Sequence, residues 1–167
     1  MQQTTAHTDE SRPLHSLMTF ASADGWHTGT TGRVDAQPDG QQAWAWASTV
    51  PYRDQAEPDA FQFPPAATLG ALPPDGIVVV VQLYGPDARG RGVPPPFRLA
   101  QAANETPWEG QVRDIPLYRI GGRVPGQPYD VDISIFVGRA EPTREQLARA
   151  DEELRRLNLP DWSSVAG

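Results

Sequence analysis

Aspartates and tryptophans are the residues of this sequence whose types and spacing could do chemistry. Asp130 and Asp132 stand two apart in YDVDISIFVG, residues 129–138. That spacing puts both carboxylates on one face of a strand, about 7 Å apart. Calcium takes oxygen ligands in flexible geometry, so Asp87 or Asp54 from loops could complete such a pair. Asp-x-Asp without a DxDxDG loop is a weak signal, and a solvated strand face is the simpler expectation. Nothing places a substrate between the two, which disfavours a paired acid–base role. Trp44 and Trp46 share one side of QAWAWASTV, residues 42–50, and Trp26 falls on a neighbouring strand candidate. A flat aromatic platform of this kind could stack a sugar ring or receive a partner's apolar side chain. The competing expectation is that Trp44 and Trp46 are core residues.

Other chemistry finds little footing. His7, His15 and His27 show no i,i+3 or i,i+4 spacing and no HExxH pattern. His15 and His27 could meet across neighbouring strands with Asp24, but edge positions explain them as well. There is no GxSxG, and Ser22, Ser48, Ser134 and Ser163 read as structural. GPDARGRG, residues 85–92, lacks the Lys-Ser/Thr of a phosphate loop and runs into prolines rather than a helix. The absence of cysteine removes disulfides, thiolate zinc sites and cysteine nucleophiles. No catalytic, metal-binding or cofactor-binding residue is therefore assigned, and no cofactor is expected. The candidate binding residues are Trp26, Trp44 and Trp46 with Phe61, Phe63, Arg89 and Arg91 from the two long loops.

What positions these residues is a set of short strands. At 167 residues the chain is long enough for one domain with a real core. Its 18 prolines and 15 glycines, without a repeat, imply many turns and few long helices. The organising stretch is PPDGIVVVVQLYG, residues 73–85, whose five consecutive β-branched residues cannot alternate apolar and polar. Both faces of such a strand are covered, and it is far shorter than the roughly 18 apolar residues of a membrane span. Before it, residues 14–22, 26–35 and 42–50 read as a three-stranded meander, and residues 51–72 as a loop. After it come a glycine- and proline-rich loop at 85–96 and a short strand or helical turn at 97–103.

Residues 114–124 and 129–138 form the strongest hairpin signal, with Pro125-Gly126 supplying the turn. Tyr129, Val131, Ile133, Ile135 and Val137 alternate onto one face, until Phe136 breaks the polar side. One clear helix follows over 141–157. Thr143 is its N-cap, Gln146 completes a capping box, and Leu147, Ala150, Leu154 and Leu157 form its apolar stripe. Glu145–Arg149, Asp151–Arg155 and Glu152–Arg156 have the spacing of stabilising ion pairs. The expected fold is α+β or mainly β: an antiparallel β-sandwich or curved sheet with one C-terminal helix packed against it. Residues 14–160 form the single globular domain, with 1–13 and 161–167 as tails.

The charge is −7, carried by 21 acids against 14 arginines, with no lysine. General nucleic-acid binding is disfavoured, because phosphate affinity comes from clustered positive charge. The acidity is concentrated: residues 1–60 hold eight acids and three arginines, a net of −5. A soluble surface explains this, and so does a basic partner met by the N-terminal half. The polar start MQQTTAHTDESRP has no hydrophobic core, so no secretory signal is read and the chain is expected to be cytoplasmic, without membrane insertion. The functional expectation is a non-catalytic binding module for another protein or a homo-oligomer partner. The alternatives are a carbohydrate binder using the tryptophans and an enzyme without a recognisable motif.

Overall fold

A computed structural model describes residues 18–34, 41–51, 66–84, 92–105, 115–127 and 129–159. Its centre is a six-stranded antiparallel sheet. In chain order the strands are β1 (Thr19–Phe20), β2 (His27–Val34), β3 (Gln41–Ser48), β4 (Ile77–Tyr84), β5 (Ala103–Glu105), β6 (Leu117–Arg123), β7 (Asp130–Val137) and β8 (Leu157–Asn158). The helices are α1 (Ala66–Gly70) and α2 (Arg144–Leu154), and a 3-10 turn spans Leu99–Gln101. The main sheet runs β2-β3-β4-β7-β6-β5, and β1 pairs with β8 in a separate two-stranded ribbon.

The valine strand is β4, and it is central as expected. Ile77, Val78, Val79 and Val81 are 0% exposed and Val80 is 4%, so both faces of the strand are covered. The row splits by parity. Ile77, Val79, Val81 and Leu83 pack with Ala45, Ala47, Val131, Ile133, Ile135 and Val137 beneath Ala150 and Leu154 of α2. Val78 and Val80 face the other way, into a smaller cluster with Leu69 of α1, Ile115, Leu117 and Phe136. Each such burial stabilises the fold by roughly 1.5–3 kcal/mol relative to exposure. Phe136, which spoils the alternation of β7, is thus the anchor of this second core.

The hairpin forms as its residues dictate. Gly126 takes φ +77°, and the Gln127 N–H donates to the Val124 carbonyl at 3.1 Å, closing the turn around Pro125. The helix begins at its predicted cap: the Gln146 N–H donates to Thr143 Oγ1 at 3.1 Å, and the Thr143 N–H donates to Gln146 Oε1 at 3.3 Å. Asp151–Arg155 and Glu152–Arg156 pair as expected. Arg149 lies over Trp26 instead, 6.0 Å from the ring centroid.

Several expectations are corrected. The first strand does not join a meander: β1 leaves the sheet and pairs with β8. Met18 and Phe20 are buried by lying over the small Ala45 and Ala47, which leave room for that ribbon. The stretch 51–72 is not wholly loop, since it holds α1, whose Leu69 seals the second core. The buried face of α2 is rotated from the leucine stripe: Gln146, Ala150, Glu153 and Leu154 are buried, while Leu147 and Leu157 are only partly so. Hydrogen bonds win over hydropathy at Gln146, whose Nε2 donates to the Pro74 carbonyl at 2.8 Å and the Gly76 carbonyl at 3.3 Å. The loop before β5 is fastened too. Val93 bridges to Gly122 in parallel, and Asp151 accepts from Arg98 Nη2 at 2.7 Å and from the Leu99 N–H at 2.8 Å. No helix among the described residues is long and apolar enough to cross a membrane.

Candidate functional site

The face of the sheet opposite α2 brings together a group of partly accessible polar and aromatic side chains. Its rows follow from strand register. Trp46 stands opposite Val80, Val80 opposite Ser134, and Ser134 opposite Arg119. One row further along, Trp44 stands opposite Gln82, Gln82 opposite Asp132, and Asp132 opposite Gly121. One end of this face is apolar and closed by α1, Leu72 and Ile115. The middle and far end carry Trp44, Trp46, Gln82, Ser134, Arg119 and Asp132, all partly buried.

Trp44 and Trp46 pack against the second core with one side and keep part of each indole accessible. Trp46 also reaches sideways over β2: a Cβ at Gly29 would lie 2.5 Å from its Cζ2 and 2.7 Å from its Cε2. The glycine is what lets the ring lie there. Trp26 does not join them. It packs against the core on the α2 side, so the three tryptophans do not make one platform.

The aspartates are also placed otherwise than a wet strand face would have them. Asp130 is 9% exposed. Asp132 is held diagonally by Arg119, whose Nε donates to Oδ1 at 2.9 Å and Oδ2 at 3.0 Å, with Nη2 also on Oδ2. A bidentate guanidinium uses the carboxylate's acceptor capacity and offsets its charge. Among the described residues no group of three His, Cys, Asp or Glu could hold a metal ion. Asp54 and Asp87, the suggested loop ligands, lie outside the described residues, as do His7, His15, Phe61, Phe63, Arg89 and Arg91.

Sequence reasoning named Asp132 and both tryptophans of this face and read Ser134 as structural, but missed Arg119 and Gln82. Counting back from the Pro125-Gly126 turn would have found the arginine. The register sets Arg123 against Asp130 and Gly121 against Asp132, so Arg119 falls one row beyond on the same face.

Elsewhere, α2 carries two carboxylates with opposite electrostatics. Burial of Asp151 works against its ionisation, but hydrogen bonds from Arg98 and the Leu99 N–H, with the charges of Arg98 and Arg155, outweigh it. Its pKa is lowered. Burial dominates at Glu153 and raises its pKa against the opposing hydrogen bond and charge of Arg156. Glu153 is 0% exposed, its Oε2 accepts from Arg156 Nη1 at 2.8 Å, and its Oε1 has no hydrogen-bond partner among the described residues.

Comparison of the chain with protein-family models, with curated proteins and with solved structures finds no match.

Proposed function

We propose that this chain is a non-catalytic interaction domain that binds another protein across the sheet face bearing Trp44 and Trp46. The observation that carries this reading is the placement of two partly accessible indoles on one strand, next to the sheet edge and on the face that α2 leaves uncovered. Large, rigid aromatic side chains contribute much contact area with few rotors to immobilise, which is why tryptophan and arginine dominate binding hot spots. Arg119, already oriented by Asp132, adds a planar polar group without the entropy of a loose side chain.

A carbohydrate is the second reading, favoured by Gln82 and Asp132 lying in the same cross-strand row as Trp44. A sugar ring would stack on the indole and take hydrogen bonds from the polar row.

The test is photocrosslinking from two positions. A crosslinker at Trp44 should capture one protein from native lysate, in an amount that falls sharply when Trp46→Ala is introduced. The same crosslinker at exposed Ala148, on α2 and so on the opposite side of the sheet, should not capture it. Capture unaffected by Trp46→Ala would overturn the reading. Tryptophan fluorescence titrated with neutral oligosaccharides decides for the second reading if it saturates.

A further inference from the structure

An aspartate followed by glycine carries its own electrophile and nucleophile. The carboxyl carbon and the next amide nitrogen close a five-membered imide, and glycine, without a Cβ, neither shields that nitrogen nor restricts its approach. The dipeptide occurs three times in this chain, at Asp24-Gly25, Asp39-Gly40 and Asp75-Gly76. Asp39 and Gly40 lie outside the described residues. The other two pairs sit in tight turns, one residue out of step with each other.

In the first turn the Trp26 N–H donates to the Ala23 carbonyl at 3.2 Å, so Asp24 and Gly25 are its two central residues. Gly25 takes φ +79°, the value of the third residue in a type II turn. Its own N–H lies outside the bond that closes the turn and makes no backbone hydrogen bond among the described residues. Both residues are exposed, and a Cβ on Gly25 would meet nothing within 4 Å. In the second turn the glycine is the closing residue. The Gly76 N–H donates to the Pro73 carbonyl at 2.8 Å, and the Gly76 carbonyl accepts from the Gly138 N–H at 2.9 Å and from Gln146 Nε2 at 3.3 Å. Gly76 is buried, with Leu72 against it.

We propose that Asp24 is a modification site, isomerising without an enzyme to isoaspartate, while the turn that holds Gly76 protects Asp75. The Gly25 nitrogen bonds to Asp24 Cγ. The carboxyl gives up a hydroxyl and the amide its proton, and these leave as water. A second water then opens the imide. Attack at Cγ restores aspartate. Attack at the main-chain carbonyl of Asp24 breaks that carbon's bond to nitrogen, leaving Gly25 joined through Cγ and a free carboxylate on Cα. Water is the only co-reactant, and nothing is oxidised or reduced. The main chain gains one carbon just before Trp26, whose indole packs on the α2 side of the core with Arg149 over it. The modification therefore acts on the link that sets this tryptophan and the start of β2.

The test incubates the full chain for weeks in warm, near-neutral buffer made with heavy-oxygen water. Each opening of an imide leaves one heavy oxygen behind, and peptide mapping with electron-transfer fragmentation locates both the label and isoaspartate. In the folded protein Asp24 should react at least about tenfold faster than Asp75, whose amide is freed only by local opening. In concentrated urea, with both turns lost, the two rates should agree within about threefold. Asp24→Glu, which would need a six-membered ring, should abolish labelling at that position and leave the urea midpoint unchanged. No label at Asp24 in the folded protein overturns the proposal, and so does equal labelling of Asp24 and Asp75. An Asp75 that stays unlabelled in urea also overturns it, because flanking sequence and not the turn would then be what protects that residue.

Discussion

Trp46 occupies the space that a side chain at Gly29 would need. A Cβ there would stand 2.5 Å from Cζ2 and 2.7 Å from Cε2 of the indole, closer than carbon atoms approach without one of them moving. The obstacle is the far end of a rotatable side chain and not backbone, so the fold survives its displacement. Gly29→Val is therefore expected to lower stability by about 1–2 kcal/mol, the range for inserting methyl groups into a packed contact. The emission of Trp46 should move as well. Urea titration followed by fluorescence reads both. A Gly29→Val protein with unchanged midpoint and unchanged emission would mean that the ring does not rest on the edge strand.

Gln146 fastens α2 to the turn before the central strand. It completes the cap with Thr143 and donates to the carbonyls of Pro74 and Gly76. Gly76 in turn accepts from the Gly138 N–H at 2.9 Å, so one side chain locks the ends of β4, β7 and α2 together. Gln146→Ala should cost about 1–2 kcal/mol, from the lost half of the capping box and the lost bond to the Pro74 carbonyl, while the Gly76 carbonyl keeps the Gly138 N–H. Gln146→Glu keeps the size but turns a donor into an acceptor facing two carbonyls, and it should be worse than alanine at neutral pH. Thermal denaturation of both variants checks the order, and an alanine variant less stable than the glutamate variant would contradict the donor role.

The backbone next to this lock leaves no room for a side chain. A Cβ at Gly138 would run into the Pro73 carbonyl, with the Pro73 carbonyl carbon only 2.9 Å away. Neither atom can swing aside, since both belong to the turn that Gln146 holds. Gly138→Ala should destabilise the protein by about 3 kcal/mol or more, in the range that marks steric failure in a packed site. Gly121→Ala on the same hairpin, where a Cβ meets nothing within 4 Å, is the control and should change stability by less than about 1 kcal/mol. Chemical denaturation of the pair reads the difference.

The central strand, the hairpin and the capped helix were legible because each writes itself in local terms. A run of β-branched residues needs no partner to declare itself buried, Pro125-Gly126 specifies its own turn, and Thr143 and Gln146 lie within one turn of each other. What escaped depends on residues distant in sequence. Nothing near Thr19 says that its partner is Asn158 rather than a strand of the meander. Leu147 and Gln146 differ in hydropathy in the wrong direction, and only the carbonyls of Pro74 and Gly76, about seventy residues away, make the glutamine the buried one. The same holds for the site. Alternation put Trp44 and Trp46 on one face, but which face α2 covers, and that Trp26 lies on the other, is decided by packing. Asp132 was visible as a carboxylate on a strand; its commitment to Arg119 required the register.

Glu153 and Asp151, two residues apart on α2, give stability opposite dependences on pH. The pKa of Glu153 is raised in the folded protein, burial outweighing Arg156. What this group contributes is thus fully present below the pKa of an unfolded glutamate, and it is lost as pH rises through the higher folded value. The folded protein buries the Glu153 carboxyl with one oxygen unpartnered among the described residues, which disfavours its charged form. Glu153→Gln removes the charge, keeps the shape and lets an amide replace one oxygen. It should stabilise the protein at neutral pH, by a margin that shrinks toward zero as pH falls into the ordinary glutamate range. The pKa of Asp151 is lowered, with Arg98 and Leu99 overcoming the effect of burial. Its contribution is present above the pKa of an unfolded aspartate and is lost as pH falls through the lower folded value. Asp151→Asn should therefore destabilise at neutral pH and do less harm as the pH drops below the ordinary aspartate range. Urea midpoints measured from neutral to acidic pH should show the two variants converging on the wild type from opposite sides. If Glu153→Gln instead destabilises at neutral pH, the ion pair with Arg156 outweighs burial and the raised pKa is wrong in sign.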